Sequence, residues 1–206
     1  IYPEHDPDDG YDLAGFVWFQ GWNDMVDGGT YPSRGTPGSY NAYSEVLAHF
    51  IRDVRKDLEA PELPFVIGVM GAGGPIDNYP PEKMRYAGIH GEFRKAMAAP
   101  AELPEFKGNV VAVRTEDFWD MELEQLRAKD RKIQNEVKQQ VADGELDKSK
   151  QKDELERRRS EVFEQRERQI LENGASNAEY HYLGSAKILG GIGKGFAEAM
   201  WGLIEK

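Results

Sequence analysis

A parallel α/β sheet with helices on both faces is the fold class this sequence predicts, and three observations carry it. Short apolar, β-branched runs recur at Leu13–Phe19, Phe65–Met70 and Asn109–Thr115. Segments with helical periodicity lie between them, and each run stops abruptly in glycine, amide or carboxylate residues. Strands that alternate with helices form parallel sheets, and strands covered on both faces read as unbroken apolar runs.

The bulk properties narrow the function. A chain of 206 residues is one ordinary domain with room for an appended element. Its formal charge of −11 argues against nucleic acid, which requires a basic footprint. No stretch approaches the ~20 apolar residues that span a bilayer, so no membrane partner is expected. The absence of cysteine excludes disulfides, thiolate metal sites and a Cys nucleophile. The chain opens at Ile1 without an initiator Met and shows no signal peptide, so its start leaves the location open.

In chain order, Ile1–Asp12 is rich in Pro and Asp, with Glu4, His5, Asp6, Asp8 and Asp9 close together. An oxygen-ligand cation site there competes with a solvated lead-in loop, and the spacing fits no calcium loop. Leu13–Phe19 reads as a strand buried on both faces, ending in the polar tip Gln20-Gly21-Trp22-Asn23-Asp24. Ligands of open α/β sheets bind beyond the carboxyl ends of strands, so this tip is the first place to look for chemistry. Met25–Ser39 is a turn-rich loop expected to wall the substrate cleft.

Tyr40–Leu58 reads as an amphipathic helix, with Tyr43, Val46, Leu47, Phe50, Ile51 and Val54 inward and Arg52, Arg55 and Lys56 outward. The next helix runs from Pro80 or Pro81 to about Met97, with Met84, Ala87, Ile89, Phe93 and Met97 inward. His49 and His90, inside these helices, read as structural. Gly71-Ala72-Gly73-Gly74-Pro75 lacks dinucleotide-loop spacing and is expected to be a tight turn approached by another segment. Glu116-Asp117-Phe118-Trp119-Asp120 either lines a sugar cleft or supplies Asp117 as a helix N-cap.

Trp119–Glu172 is different in composition, with 15 acidic and 13 basic residues and two narrow apolar seams. Leu123, Leu126, Ile133, Val137 and Val141 mark one seam; Leu146, Leu155, Val162, Phe163 and Ile170 mark the other; Asp143-Gly144 separates them. Two antiparallel helices are expected, acting either as a solvated insert or as a surface for self-association into a homo-oligomer. A final helix, Ser185–Glu205, would bury Ile188, Leu189, Ile192, Phe196, Met200, Trp201 and Ile204, with Gly190 to Gly195 permitting close packing.

Gly21-x-Asn23-Asp24, within Trp18-Phe19-Gln20-Gly21, resembles the third sequence block of the SGNH hydrolases. The fuller context is similar to their carbohydrate-esterase branch, the sialate O-acetylesterase and acetyl-xylan-esterase-like proteins. His181, in a loop just before the last helix, matches the placement of that family's catalytic His. The resemblance implies a three-layer sandwich around a parallel sheet (SGNH/flavodoxin-like), with the charged helical hairpin inserted. Residues 1–118 would form the esterase core, 119–172 the hairpin, and 173–206 the catalytic-His loop and closing helix.

The resemblance also implies roles. His181 would be the general base, Glu179 the acid that receives its Nδ1 proton, and Asn23 the oxyanion donor, with Gln20, Gly21, Trp22 and Asp24 contacting substrate. No metal or organic cofactor is required. The sequence departs from the family in placing Ala178 where an Asp is common, leaving Glu179 as substitute and Asn177 able only to orient the ring. Trp22 also replaces the usual Glu. No Gly-x-Ser motif precedes Gly15, and Ser33, Ser39, Ser44 and Ser185 lack the strand-to-turn setting of a nucleophile. The expectation is a serine acetylesterase acting on an acetylated carbohydrate outside the cell or in the periplasm. Its Ser would come from a missing N-terminal segment or another chain of the same protein. A non-catalytic carbohydrate-binding or assembly protein is the alternative.

Overall fold

The computed structural model describes residues 10–205, so the acidic cluster at Glu4–Asp9 lies outside the described residues. The chain divides into two compact units, residues 1–71, 75–117 and 192–206 in one, and 72–74 with 118–191 in the other.

The first unit is mixed α/β. Strands β1 (Phe16–Trp18), β2 (Phe65–Val69) and β3 (Val110–Arg114) form a parallel sheet in the order β1-β2-β3, with Phe16 beside Phe65 and Phe65 beside Val110. The central strand β2 is buried at every position, as its Val/Ile/Phe composition demands. β1 is shorter than Leu13–Phe19 and is an edge of the described sheet, with Val17 45% exposed. The expectation of burial on both faces is therefore corrected for β1.

Helix α2 (Asn41–Asp57) covers one face of the sheet. Its Phe50 ring stands edge-on to Phe16 at 5.9 Å and to Phe65 at 6.3 Å, while Phe16 and Phe65 stack at 5.0 Å. On the other face Gly68 leaves room for two rings, Phe19 of the β1 end and Phe196 of α7 (Ala186–Ile204), which meet at 5.3 Å. A Cβ at Gly68 would lie 2.5 Å from Phe196 and 2.6 Å from Phe19.

Several expected orientations are corrected. Val46 is exposed on α2, whereas Arg55 is buried. The Arg55 guanidinium donates to the Leu63 carbonyl at 2.9 Å and to Asn109 Oδ1 at 2.9 Å and lies 5.3 Å from the Phe106 ring, so its burial is compensated by oxygen acceptors and an aromatic face. Helix α3 (Ala87–Ala98) starts later than Pro80, because Met84–Tyr86 forms a separate 3-10 turn that leaves Met84 exposed. Phe93 and Met97 are buried as expected. Leu189, Trp201 and Ile204 of α7 are exposed rather than inward. Of the α7 glycines, Gly191 packs against Phe118, but Gly190 and Gly193 face open space.

The second unit holds α4 (Met121–Ala142), α5 (Gln151–Val162) and α6 (Gln165–Asn173). The segment expected as two helices thus contains three. The break falls where Phe163 turns extended to enter a cluster with Leu126, Ile133 and Val137, and Glu164 restarts the chain through a reciprocal capping box with Glu167. Val162, expected in the seam, is exposed. Arg158 pairs with Glu136, Arg159 with Asp130 and Arg166 with Glu122, so α5 and α6 run antiparallel to α4. The α4 N-cap is Asp120, whose side chain accepts from Leu123 N, and not Asp117. No helix among the described residues is long and apolar enough to cross a membrane.

Gly68→Ala is expected to cost about 1–3 kcal/mol, because neither packed ring can move away from the added methyl. A denaturant midpoint equal to that of the parent would show that the Phe19–Phe196 contact yields.

Candidate functional site

The tip after β1 is shaped by packing from below. Gly21 lies under the Phe93 ring, where a Cβ would come within 2.8 Å of a ring carbon, so only glycine fits. The chain then turns into the short helix α1 (Trp22–Val26). Two phenols from α2 and its entry hold this turn: Tyr43 donates to the Gln20 carbonyl at 3.1 Å, and Tyr40 to the Met25 carbonyl at 2.6 Å. Burial pushes both phenols up to about 12, so they remain protonated donors at any physiological pH.

The five residues expected at this tip therefore share one short segment. Gln20 Nε2 donates to Asp24 Oδ2 at 3.2 Å, tying two of them together. Asn23 is exposed, and its carboxamide makes no hydrogen bond among the described residues. Trp22 is half-buried, its ring edge-on to His90 of α3 at 6.5 Å. Beyond His90, Tyr79 OH lies 2.6 Å from His90 Nδ1, and Arg94 donates to Tyr79 OH at 3.4 Å and to the Met70 carbonyl at 2.8 Å. Burial, then the positive charges of Arg94 and Lys83, push His90 down to about 4. His90 and Arg94 lie one turn apart on α3, whereas Trp22 and Tyr79 join them only through the tertiary fold.

At the end of β3 the carboxylate expected to line the cleft is instead turned inward. Glu116 is 2% exposed and accepts from Arg114, with Nη2 at 2.8 Å and Nε at 2.9 Å, and Arg94 Nη1 stands 4.0 Å away. The backbone at Gly71 presses against that of Glu116, leaving no room for a Cβ, which explains the glycine at this turn. A pocket of about 500 Å³ opens here beside Val69, Ile76, Asp77, Arg94 and Arg114.

His181 and Glu179 lie in the second unit, in the 3-10 segment Glu179–Gly184. Tyr182 and Leu183 have φ of 53° and 60°, a left-handed conformation that side chains other than glycine's resist. Burial of Tyr182 and Leu183 offsets this strain, and the Leu183 carbonyl accepts from both Ser176 N at 2.8 Å and Asn177 N at 2.9 Å. Strain of this kind clusters at functional sites.

His181 is exposed, with Nδ1 3.0 Å from Asn177 Oδ1. The same Asn177 atom accepts the Ala178 N–H at 2.7 Å, which identifies it as the carbonyl oxygen. The Nδ1 facing it therefore carries the proton, and Nε2 keeps its lone pair. The Nδ1 position expected for Glu179 is thus taken by Asn177, a partner read from sequence only as able to orient the ring.

None of the seven serines follows a strand end. Ser44 Oγ donates to the Ala96 carbonyl, Ser160 Oγ to the Glu156 carbonyl, and Ser176 Oγ to the Gly184 carbonyl. Ser149 bonds Asp147, Ser33 and Ser39 lie in turns, and Ser185 is buried at the start of α7. No group of three or more His, Asp or Glu residues suited to a metal ion occurs among the described residues.

A family model described as carbohydrate esterase, sialic acid-specific acetylesterase, matches residues 4–118. No curated protein and no solved structure matches the chain.

Two outcomes are expected. Tyr43→Phe removes the hydroxyl that fixes the Gln20 carbonyl and should cost about 1 kcal/mol in urea unfolding. The His90 effect has a sign that follows from protonation. The unfolded chain binds a proton near the ordinary imidazole value of 6.5 and the folded chain only at about 4, so stability falls as pH drops through that window. Between pH 7 and pH 5 the protein should lose about 2 kcal/mol that a His90→Phe variant does not lose. Parallel pH curves for the two proteins would contradict the burial of a neutral imidazole facing Arg94, Lys83, Tyr79 and Tyr86.

Proposed function

The chain belongs to the carbohydrate esterase family of sialic acid-specific acetylesterases, and from that premise we propose that it carries the Asn and His of a serine O-acetylesterase acting on an acetylated sugar. The nucleophilic Ser then lies outside the 206 residues, on a further segment or a second chain of the same protein. The observation that carries this proposal is the His181 turn, where Asn177 holds Nδ1 protonated and leaves Nε2 as a base. The position of β1 as an outermost strand of the described sheet supports the idea that another strand is received there.

In the proposed mechanism, His181 Nε2 takes the Ser proton as the hydroxyl oxygen attacks the acetyl carbonyl. Asn23 donates its carboxamide to the tetrahedral oxyanion, a contribution of about 10²–10³ in rate at comparable sites. The imidazolium returns the proton to the departing sugar hydroxyl, and the acetyl-Ser is then hydrolysed by water activated at the same Nε2. Asn177 fixes the ring and its tautomer without supplying charge. Glu179, in the same turn, is the carboxylate nearest to His181 in sequence.

A second reading is favoured by one observation, that none of the seven serines follows a strand end. On it the protein binds acetylated sugar without cleaving it. Acetate release from O-acetylated sialic acid separates the two, measured with residues 1–206 supplemented by the chain segment bearing a Gly-x-Ser motif. The esterase reading expects release that falls at least ~10³-fold in His181→Ala and about 10²–10³-fold in Asn23→Ala. Equal release by parent and His181→Ala would remove His181 from the chemistry.

A further inference from the structure

Sequence periodicity assigns His90 to a helix interior, yet its surroundings are those of a ligand-facing group. Nδ1 is engaged by Tyr79 OH at 2.6 Å, and the Tyr79 oxygen itself receives Arg94 Nη2 at 3.4 Å. Arg94 is held in place by the Met70 carbonyl at the end of β2. A guanidinium directed at a phenol oxygen draws electron density from the O–H and makes it the better donor of the pair, so the shared proton sits on Tyr79 and points to Nδ1. The imidazole, kept neutral by burial and by Arg94 and Lys83, then carries its own proton on Nε2. Nε2 makes no hydrogen bond to any described residue and is not closed off from solvent.

Two aromatic rings flank this donor. Tyr86, 39% exposed, lies nearly parallel to the imidazole with centroids 6.0 Å apart, and Trp22 stands edge-on at 6.5 Å. Trp22 adjoins Asn23 in α1, so the donor and its rings border the proposed oxyanion donor within one unit.

We propose that His90 is a binding residue for the sugar: Nε2–H donates to a hydroxyl or ring oxygen of a pyranose, whose C–H faces rest against Trp22 and Tyr86. A sugar fits this surface better than an amine, which the positive charges of Arg85 over Tyr86 and of Lys83 and Arg94 beside His90 would repel. The flanking rings are flat, with the Arg85 guanidinium 4.6 Å from the Tyr86 centroid, and the central donor is uncharged, which matches alternating C–H and O–H groups on a ring that can also carry a carboxylate. Arg94 acts through Tyr79 as a positioning residue that selects the tautomer. The inference rests on the carbohydrate reading of the site and adds a residue to it.

The test uses free N-acetylneuraminate as probe and the full chain, and it requires no nucleophile. Long-range ¹H–¹⁵N NMR of the parent should show His90 as the neutral Nε2–H tautomer at pH 7, and titration with the sugar should shift its ring signals together with the Trp22 indole in a saturable way. His90→Phe keeps a ring of similar size and loses only the donor, so it should bind about tenfold more weakly. Tyr79→Phe should release the tautomer and weaken binding a few-fold. The proposal is overturned by the Nδ1–H tautomer in the parent, by no saturable shift at His90, or by an unchanged Kd in a folded His90→Phe protein. Should His90→Phe not fold, the tautomer and titration of the parent decide alone. Acetate release by His181→Ala decides the esterase reading separately, because a sugar can bind at His90 whether or not it is cleaved.

Discussion

The packing of Phe93 against Gly21 is the constraint on which the rest of the first unit depends. The ring is fully buried, with Tyr40 at 4.9 Å and Tyr43 at 4.7 Å around it. Both tyrosines reach past Phe93 to backbone carbonyls of the β1 tip. One aromatic side chain on α3 thus accounts for the glycine at position 21 and packs beside the two phenols that pin the turn. Exposure of Asn23 is a consequence. The segment is held through its backbone and its neighbours, so the carboxamide is free to face a ligand.

The second chemical element is held differently. The turn around His181 relies on backbone hydrogen bonds closed around Leu183, with two left-handed residues whose side chains are buried, Tyr182 against Trp119, and with the Tyr180 ring 4.3 Å from the imidazole. Such a turn has few alternative conformations, because relaxing the strain would expose Leu183 and leave its carbonyl unpaired. A rigid backbone is what a general base needs when its orienting partner, Asn177, is neutral and contributes geometry rather than charge.

How much of this was legible in the sequence follows from where the information lies. β2 and β3 were visible because Val66, Ile67, Val110 and Val111 combine β-branching with burial. The Gly21-Trp22-Asn23-Asp24 tip was visible because an apolar strand ended in polar residues. Residue-level orientation failed where a charge found a buried partner, as Arg55 did in the Leu63 and Asn109 oxygens, or where a strand or helix bordered open surface, as Val17 and Trp201 do. The Phe163 break was hidden because α5 and α6 share the same charged composition, and only the demand for Phe163 in the core bends the chain there. The His90 cluster was only partly legible: Tyr86 and His90 are four residues apart at the start of α3, one helical turn, but Trp22 and Tyr79 come from other segments and meet them only through the fold. Asn177 was visible as a neighbour of His181, but its carbonyl orientation required the Ala178 N–H to be seen.

The proposal that Asn23 and His181 serve a single reaction is tested most directly by the coupling between them. Both residues are proposed to act on one event, the attack of the Ser oxygen on the acetyl carbonyl, so their effects are expected to be coupled. In the nucleophile-complemented protein, kcat/KM for acetate release should be compared among the parent, both single alanine variants and the double variant. The account predicts that the double variant is little worse than His181→Ala alone. Losses that multiply, or a double variant as active as the parent, would contradict it.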